Sequence, residues 1–390
     1  MVLLLLLYTY LGYPLLLRLF SWLFANPHRS DSSHCPAVTL VVSAYNEAGV
    51  MEEKMENSLA LDYPEGKLTI MVVSDCSDDG TDLIVRRYAS RGVRLVRARE
   101  RRGKTAALNL ALAEISSEVV VFSDANAMYR PDAIRYLVRH FADPKVGYVV
   151  GNARYQEEKE TAAGGMESLY WDLETQVKKW ESSLCSVVGG DGAIYAIRRS
   201  LYEPLLESDI NDFVNPLQIV VKGYRGIFDP RAVCFEEPAG CFEKEFSRKV
   251  RIVNRSFNGV LRVRQALNPF RVGAFSWQLV SHKLLRWFSP YLVLVLLPLL
   301  LHDAVAGGRK PFELAALTAA AVLLASAGVG WLLRRRAGGN KVWFLPCYLV
   351  LMNVASALGI YYRLRGGTIS TWSTVRDGSP GTGCRPGRRD

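Results

Sequence analysis

The stretch Val119-Val120-Val121-Phe122-Ser123-Asp124-Ala125-Asn126-Ala127-Met128 decides how the rest of the chain is read. Its first five residues carry no charge and read as a buried strand ending at Ser123. Directly at the strand's end stand Asp124 and Asn126, two oxygen-bearing side chains one residue apart. An α/β sheet binds its ligands just outside the carboxyl ends of its strands. Alternate side chains face the same way, so Asp124 and Asn126 could both address one hard cation. The alternative is an Asx turn that uses both side chains for local backbone bonds.

Three upstream segments repeat the pattern. A strand over Val38–Ser43 ends in Ala44-Tyr45-Asn46-Glu47, and a helix signal from Met51 to Leu61 stops at Asp62-Tyr63-Pro64. A second strand, Leu68–Val73, runs into Ser74-Asp75-Cys76-Ser77-Asp78-Asp79-Gly80-Thr81 and a further helix. A third, Val93–Val96, leads into a basic stretch from Arg99 to Lys104 and a helix over Thr105–Glu114. Strands alternating with helices at this spacing predict a parallel sheet with right-handed crossovers. Glu47, Asp75 and Asp124 then share one rim, an acidic cleft with a basic wall. A nucleoside diphosphate with a divalent ion needs such groups.

The chain has 390 residues, 49% of them hydrophobic, and its apolar residues are unevenly spread. Residues 1–24 carry one charge, Arg18, and are long enough to span a bilayer. They lack a convincing basic n-region and cleavage site, so an uncleaved anchor is expected. Apolar blocks return at 288–301, 312–333 and 342–362, with the first short for a full span. A water-facing domain over 36–265, an amphipathic interfacial segment over 266–287, C-terminal spans within 288–362 and a basic tail over 363–390 complete the organisation.

His28 and Arg29 after the first span, and Arg334, Arg335, Arg336 and Lys341 between the last two, place the large domain on the cytoplasmic side of the inner membrane. The tail, with six Arg against two Asp, breaks that count if all three C-terminal blocks cross. The seven cysteines show no C-x-x-C spacing and read as reduced packing residues. A net charge of +10 suits a domain lying on anionic lipid, and no motif for nucleic acid accompanies it.

Together, Ala-Tyr-Asn-Glu at 44–47, Ser-Asp-Cys-Ser-Asp-Asp-Gly-Thr at 74–81, Arg-Gly-Lys-Thr-Ala-Ala-Leu-Asn at 102–109 and Phe-Ser-Asp-Ala-Asn at 122–126 resemble the family 2 glycosyltransferases of GT-A fold. The likeness is to their membrane-embedded branch of cellulose, hyaluronan and poly-N-acetylglucosamine synthases, and it covers residues 38 to about 260. The resemblance implies an α/β GT-A domain flanked by transmembrane helices. It implies that Tyr45 and Glu47 lie in the nucleotide-binding loop, that Asp75 contacts the nucleoside and that Lys104 approaches the donor. Asp124 and Asn126 stand where the family has Asp-x-Asp on a Mg²⁺ or Mn²⁺ ion. The amide at 126 brings one fewer negative charge, so weaker metal binding is expected.

In the second half, a helix from Gly165 to Ser182 carries Trp171 and Trp180, which either pack on the sheet or line a sugar path. Val187-Val188-Gly189-Gly190-Asp191-Gly192-Ala193 allows close backbone approach, and Asp191 could bond acceptor hydroxyls or simply belong to a turn. Ser208-Asp209-Ile210-Asn211-Asp212-Phe213 opens a helix, where Asp209, Asn211 or Asp212 could act as a cap. The family's catalytic base lies at such a helix start, and Asp212 matches it, with Asp209 as fallback. A helix from Phe242 to Val263 aligns Arg248, Arg251 and Arg255 on one face, as a clamp for the leaving diphosphate or as a membrane-surface face.

The synthases carry Gln-x-x-Arg-Trp there. Arg248-Lys249-Val250-Arg251-Ile252 keeps the Arg but lacks the Gln and Trp, which puts processivity in doubt. The expected activity is inverting transfer from a nucleotide sugar, a UDP-sugar first, to a hydroxyl of a growing glycan or lipid-linked acceptor, with possible export partner proteins. The alternatives are a single transfer to a polyprenyl phosphate or oligosaccharide, and a non-catalytic nucleotide-sugar-binding subunit.

Overall fold

The computed structural model describes residues 1–155, 163–236, 242–306, 311–333 and 341–367. Its centre is one sheet built from β1 (Val38–Ala44), β2 (Leu68–Ser74), β3 (Val93–Arg97), β4 (Val119–Asp124), β5 (Met128–Tyr129), β6 (Val146–Tyr155), β7 (Tyr195–Arg198) and β8 (Arg225–Glu236). The order is β3-β2-β1-β4-β7-β6-β8-β5. The first four strands pair in parallel, as the helix-strand alternation predicts. The sheet as a whole is mixed, because β7 runs antiparallel to both β4 and β6, and β5 antiparallel to β8. The parallel arrangement read for the first four strands therefore holds, and the later strands make the sheet mixed.

Every residue of β1 is buried, as expected of a central strand covered on both faces. Its alternate residues divide between two cores. Val38, Leu40 and Val42 pack with Met51, Met55, Ile134 and Leu137, whereas Val41 packs with Leu108, Phe122, Tyr195 and Leu217. Between β1 and β4 the chain's connections leave in opposite directions, which opens a crevice at the carboxyl ends of the two strands.

Four helices among the described residues are long and apolar enough to cross a membrane: Val2–Leu23, Ala274–Val305, Glu313–Leu333 and Pro346–Leu364. The block expected at 288–301 is longer than its composition suggested. From Ala274 the chain is continuously helical through a π-helical turn at Val280–Leu284 into Leu285–Ala306. The stretch 266–287 is therefore divided, with only its first part a separate, short helical segment. The first span is fastened to this long helix by Tyr8 and Ser281 at 2.7 Å, Tyr10 and Ser289 at 2.8 Å, and the Tyr13 and Trp277 rings at 5.1 Å.

The Phe242–Arg262 helix docks on the final helix, where the Asn254 amide donates to the Gly359 carbonyl at 3.1 Å and Arg363 Nε donates to Asn258 at 2.7 Å. Cys35, Cys76, Cys185, Cys234 and Cys347 form no disulfide among the described residues. The Arg-rich loop 334–340 and residues 368–390 of the basic tail lie outside the described residues.

Candidate active site

A cleft of about 340 Å³ opens at the carboxyl ends of β4 and β8, within the range of small-molecule sites. Lys104, Asp124, Asp191, Asp212, Glu236, Arg248, Lys249, Arg251 and Arg255 contribute its charged wall.

Asp124 ends β4, where Ser43 of β1 donates to its Oδ1 at 3.2 Å and the Lys104 ammonium makes a close ion pair with the same oxygen. Beneath the Asp124-Ala125-Asn126 turn lies Lys54, completely buried, donating to Ser123 Oγ at 2.8 Å and to the carbonyl of Ala127. Burial pushes this ammonium down to about 8. Asn126 is half-buried and stands outside the residues that line the cleft.

Asp212 sits in the first turn of the Asn211–Val221 helix. The side-chain amides of Asn211 and Asn215 fix that turn by donating to the buried Tyr195 hydroxyl at 2.9 and 3.1 Å. Pro216 has no N–H to offer the carbonyl four residues earlier, that of Asp212. The Gly190 N–H donates to this carbonyl instead, at 2.5 Å. Any side chain at 190 would strike the same oxygen, since a β-carbon there would stand 2.7 Å from it.

Gly192 faces the business end of the same residue. A β-carbon built on it would lie 3.1 Å from Asp212 Oδ2, 3.5 Å from Lys104 Nζ and 3.6 Å from Asp124 Oδ2. Three charged groups thus converge on a position kept open by glycine. Asp212 Oδ1 is buried without a hydrogen-bond partner among the described residues. Burial, reinforced by Asp191 and Asp124, raises the carboxyl above its ordinary range, with Lys104 and Arg255 pulling the other way. A carboxylate so placed is suited to take a proton.

Two further residues came from the structure alone. Glu236, at the end of β8, lines the cleft and is pushed up to about 8 by burial and by Asp124 and Asp191. Its signal was present in the sequence as another acidic residue ending an apolar run, Ala232-Val233-Cys234-Phe235. Lys54 sits within the first helix with no local pattern to reveal its burial.

The remaining expected residues divide. Asp191 lines the cleft with Lys178 Nζ 3.7 Å from its Oδ2. Arg251 lines it and makes no hydrogen bond or ion pair with any described residue. Arg248 pairs with Glu245 at 3.0 Å. Arg255 lines the cleft too but is engaged with a loop, donating to the carbonyls of Glu207 at 2.7 Å and Ser208 at 3.3 Å and to Thr105 Oγ1 at 3.0 Å. Asp209 is fully buried against Arg262 at 2.7 Å, and of the two aspartates at this helix start only Asp212 lines the cleft.

Asp75 accepts the backbone N–H groups of Arg102 and Gly103 at 3.0 and 2.8 Å, which ties the Arg-Gly-Lys turn to β2. Tyr45 lies under the Arg101 guanidinium at 3.8 Å, and Glu47 caps the first domain helix with its N–H on Thr81. These three flank the cleft without lining it. Trp171 falls on the Ala163–Leu184 helix, and its side chain lies outside the described residues. Trp180 packs with Tyr13, Leu17 and Val177.

With this geometry in place, comparison with known proteins is informative. Residues 39–206 match the family described as glycosyl transferase family 2. The chain carries a family 2 glycosyltransferase domain. Its relatives include a poly-β-1,6-N-acetyl-D-glucosamine synthase of Staphylococcus aureus, 28% identical over 51% of this chain and 49% of that protein. A probable glycosyltransferase of Bacillus subtilis, YdaM, is 28% identical over 54% of this chain and 52% of its own length. The chain spans about half the length of these curated relatives. Among solved structures, the mannosyltransferase PcManGT of Pyrobaculum calidifontis, in complex with GDP-Man and Mn²⁺, aligns with a TM-score of 0.70 at 25% identity, over 93% of this chain and 97% of that one. An alignment over 93% of this chain takes in apolar helices beyond the glycosyltransferase domain as well as the domain itself.

Proposed function

We propose that this enzyme is a membrane-bound, metal-dependent inverting glycosyltransferase that uses a nucleoside diphosphate sugar. The observation that carries the reading is the convergence of Asp212, Asp124 and Lys104 on Gly192, in a cleft whose opposite wall is Arg248, Lys249 and Arg251. A base, a cation site and a clamp for a departing diphosphate are the parts that direct displacement at an anomeric carbon requires.

The cleft suits a divalent ion. Asp124, Asp191, Asp212 and Glu236 line it together with Lys104, Asp212 Oδ1 has no partner among the described residues, and Glu236 holds its proton to about 8. These are hard oxygen donors, matched to Mg²⁺ or Mn²⁺. Among the described residues no three acidic, His or Cys side chains form a ready-made cage, so Asp124, with Asn126 or Glu236 as the second protein group, would share the ion with the donor's phosphates. The bound ion would neutralise charge growing on the leaving diphosphate. Mn²⁺ beside GDP-Man in the mannosyltransferase PcManGT supports this requirement.

In the transfer itself, Asp212 takes the proton of the acceptor hydroxyl as that oxygen attacks. Asp191 orients the acceptor, and Arg248 and Arg251 hold the diphosphate. Asp75, Tyr45 and Glu47 shape the nucleoside end. The domain faces the cytoplasm, where nucleotide sugars are found, and the acceptor is a glycan or lipid-linked glycan.

A second reading, single transfer without polymerisation, is favoured by the Gln and Trp missing around Arg251 and by the whole-chain match to a mannosyltransferase. Nucleotide release from GDP-mannose and a panel of UDP-sugars, in nanodiscs with Mn²⁺, tests the proposal. Release confined to one donor and abolished by chelation is expected. Binding of GDP or UDP without release from any donor would support a nucleotide-sugar-binding subunit instead.

A further inference from the structure

Away from the cleft, one of the places where the apolar helices meet the glycosyltransferase domain centres on a buried carboxylate. Glu181, near the end of the Ala163–Leu184 helix, is 0% exposed. Its Oε1 accepts the Tyr13 hydroxyl at 2.7 Å from the first span and lies 2.6 Å from His282 Nδ1 on the long C-terminal helix. Its Oε2 accepts the backbone N–H of Val188 at 3.0 Å. His282 in turn lies 3.2 Å from Glu174, which pairs with Arg286. Three segments far apart in the chain therefore fasten to one side chain.

Val188 is two residues from Gly190, whose N–H is bonded to the Asp212 carbonyl. The loop is pinned at one end by the membrane-anchored carboxylate and at the other by the residue read as the base. We propose that Glu181 is a positioning residue, which couples the seating of the membrane helices to the placement of the Val187–Ala193 loop against Asp212. The proposal rests on the reading of Asp212 as the acceptor-side base.

Chemistry supports a positioning role over mere cohesion. A buried ion network contributes little net stability compared with apolar packing, and its best-attested use is to fix one arrangement over its competitors. Burial works against ionisation of Glu181, yet His282, the Val188 N–H and the Tyr13 hydroxyl more than offset it and hold the carboxyl below its usual range. Tyr13 is the informative partner, because it touches Glu181 and lies on a span remote from the cleft. If the network only glued helices together, loosening it would leave the 188–192 loop no more affected than its surroundings.

The test is hydrogen–deuterium exchange on the full chain in phosphatidylcholine–phosphatidylglycerol nanodiscs, comparing the parent with Tyr13→Phe and Glu181→Gln. Gln keeps the shape but presents an N–H₂ to one of three donors. Amides at 188–192 are expected to exchange about threefold to tenfold faster in Tyr13→Phe, the factor one net hydrogen bond is worth, and faster still in Glu181→Gln. Peptides from β1 and β4 should be unchanged, and Mn²⁺-dependent GDP or UDP binding should stay within about twofold. With an active donor, kcat should fall while the donor KM holds. Unchanged exchange at 188–192 in Tyr13→Phe, or an equal rise in β1 and β4, would overturn the proposal. If Glu181→Gln does not fold, Tyr13→Phe decides alone. Failure of every donor in the parent would count against the proposed activity, while the exchange result would still decide the coupling.

Discussion

The N–H of Gly190 donates to the carbonyl oxygen of Asp212 at 2.5 Å, in the place where the helix would have used the N–H of residue 216. Pro216 leaves that carbonyl available, so a residue usually regarded as a helix fault here joins two parts of the cleft. Pro216→Ala supplies a competing donor. The helix should be no less stable, since alanine is favoured over proline in helix interiors by up to about 3 kcal/mol. The loop should loosen and kcat fall about threefold to tenfold, the worth of one hydrogen bond. Thermal melting and initial-rate kinetics on the same preparation check both halves; unchanged kcat would show that the Gly190 contact does not set the base.

Arg251 and Arg255 share a helix face but not an environment. Both line the cleft, but Arg251 has no hydrogen-bond or ion-pair partner among the described residues, whereas Arg255 is spent on the carbonyls of Glu207 and Ser208 and on Thr105. Arg251→Gln should lower kcat/KM for the donor roughly tenfold or more, the worth of a charge-assisted bond, with melting temperature unaffected. Arg255→Gln should destabilise the fold by about 1–3 kcal/mol through the buried carbonyls it leaves unpaired. Urea unfolding beside donor titration separates the two. Equal effects on stability would contradict the division.

His28 follows the first span and rests on the domain, its Nε2 2.7 Å from His140 Nδ1, with His140 Nε2 2.9 Å from Asp229. Burial, then the neighbouring His140, pushes His28 down to about 4 from 6.5. Between those values the unfolded chain binds more protons than the folded one, so stability rises with pH across the window and is lost as pH falls through it. The parent should lose melting temperature between pH 6.5 and pH 4.5 more steeply than His28→Asn. Parallel slopes would show that this contact does not titrate in that range.

Much of the nucleotide-binding half was legible because its physics is local. The largely apolar runs at 38–43, 68–73, 93–96 and 119–123 become β1 to β4 within a residue, and the charged residue that ends β4 reaches the cleft as expected. The acceptor half was less so. β6 and β8 pair at long range, and the opposite sense of β7 is set by its neighbours and not by its own residues. Asp191, Asp212 and Arg251 come together only through that pairing. Arg255 was read by helical spacing alone, which places a side chain on a face without saying whether the loop opposite will claim it. Lys54 and Glu181 sit in helices whose periodicity gives no sign of a buried charge, since the partners that make burial tolerable come from elsewhere in the chain.

The most direct test of the central claim compares the parent with Asp212→Asn in nanodiscs, measuring sugar transfer and Mn²⁺-dependent nucleotide binding together. Asn keeps the shape and removes the proton acceptor. The account predicts nucleotide affinity within about twofold of the parent and transfer slowed by about 10²–10⁴, the range of general base catalysis. Transfer at the parent rate in Asp212→Asn would contradict it.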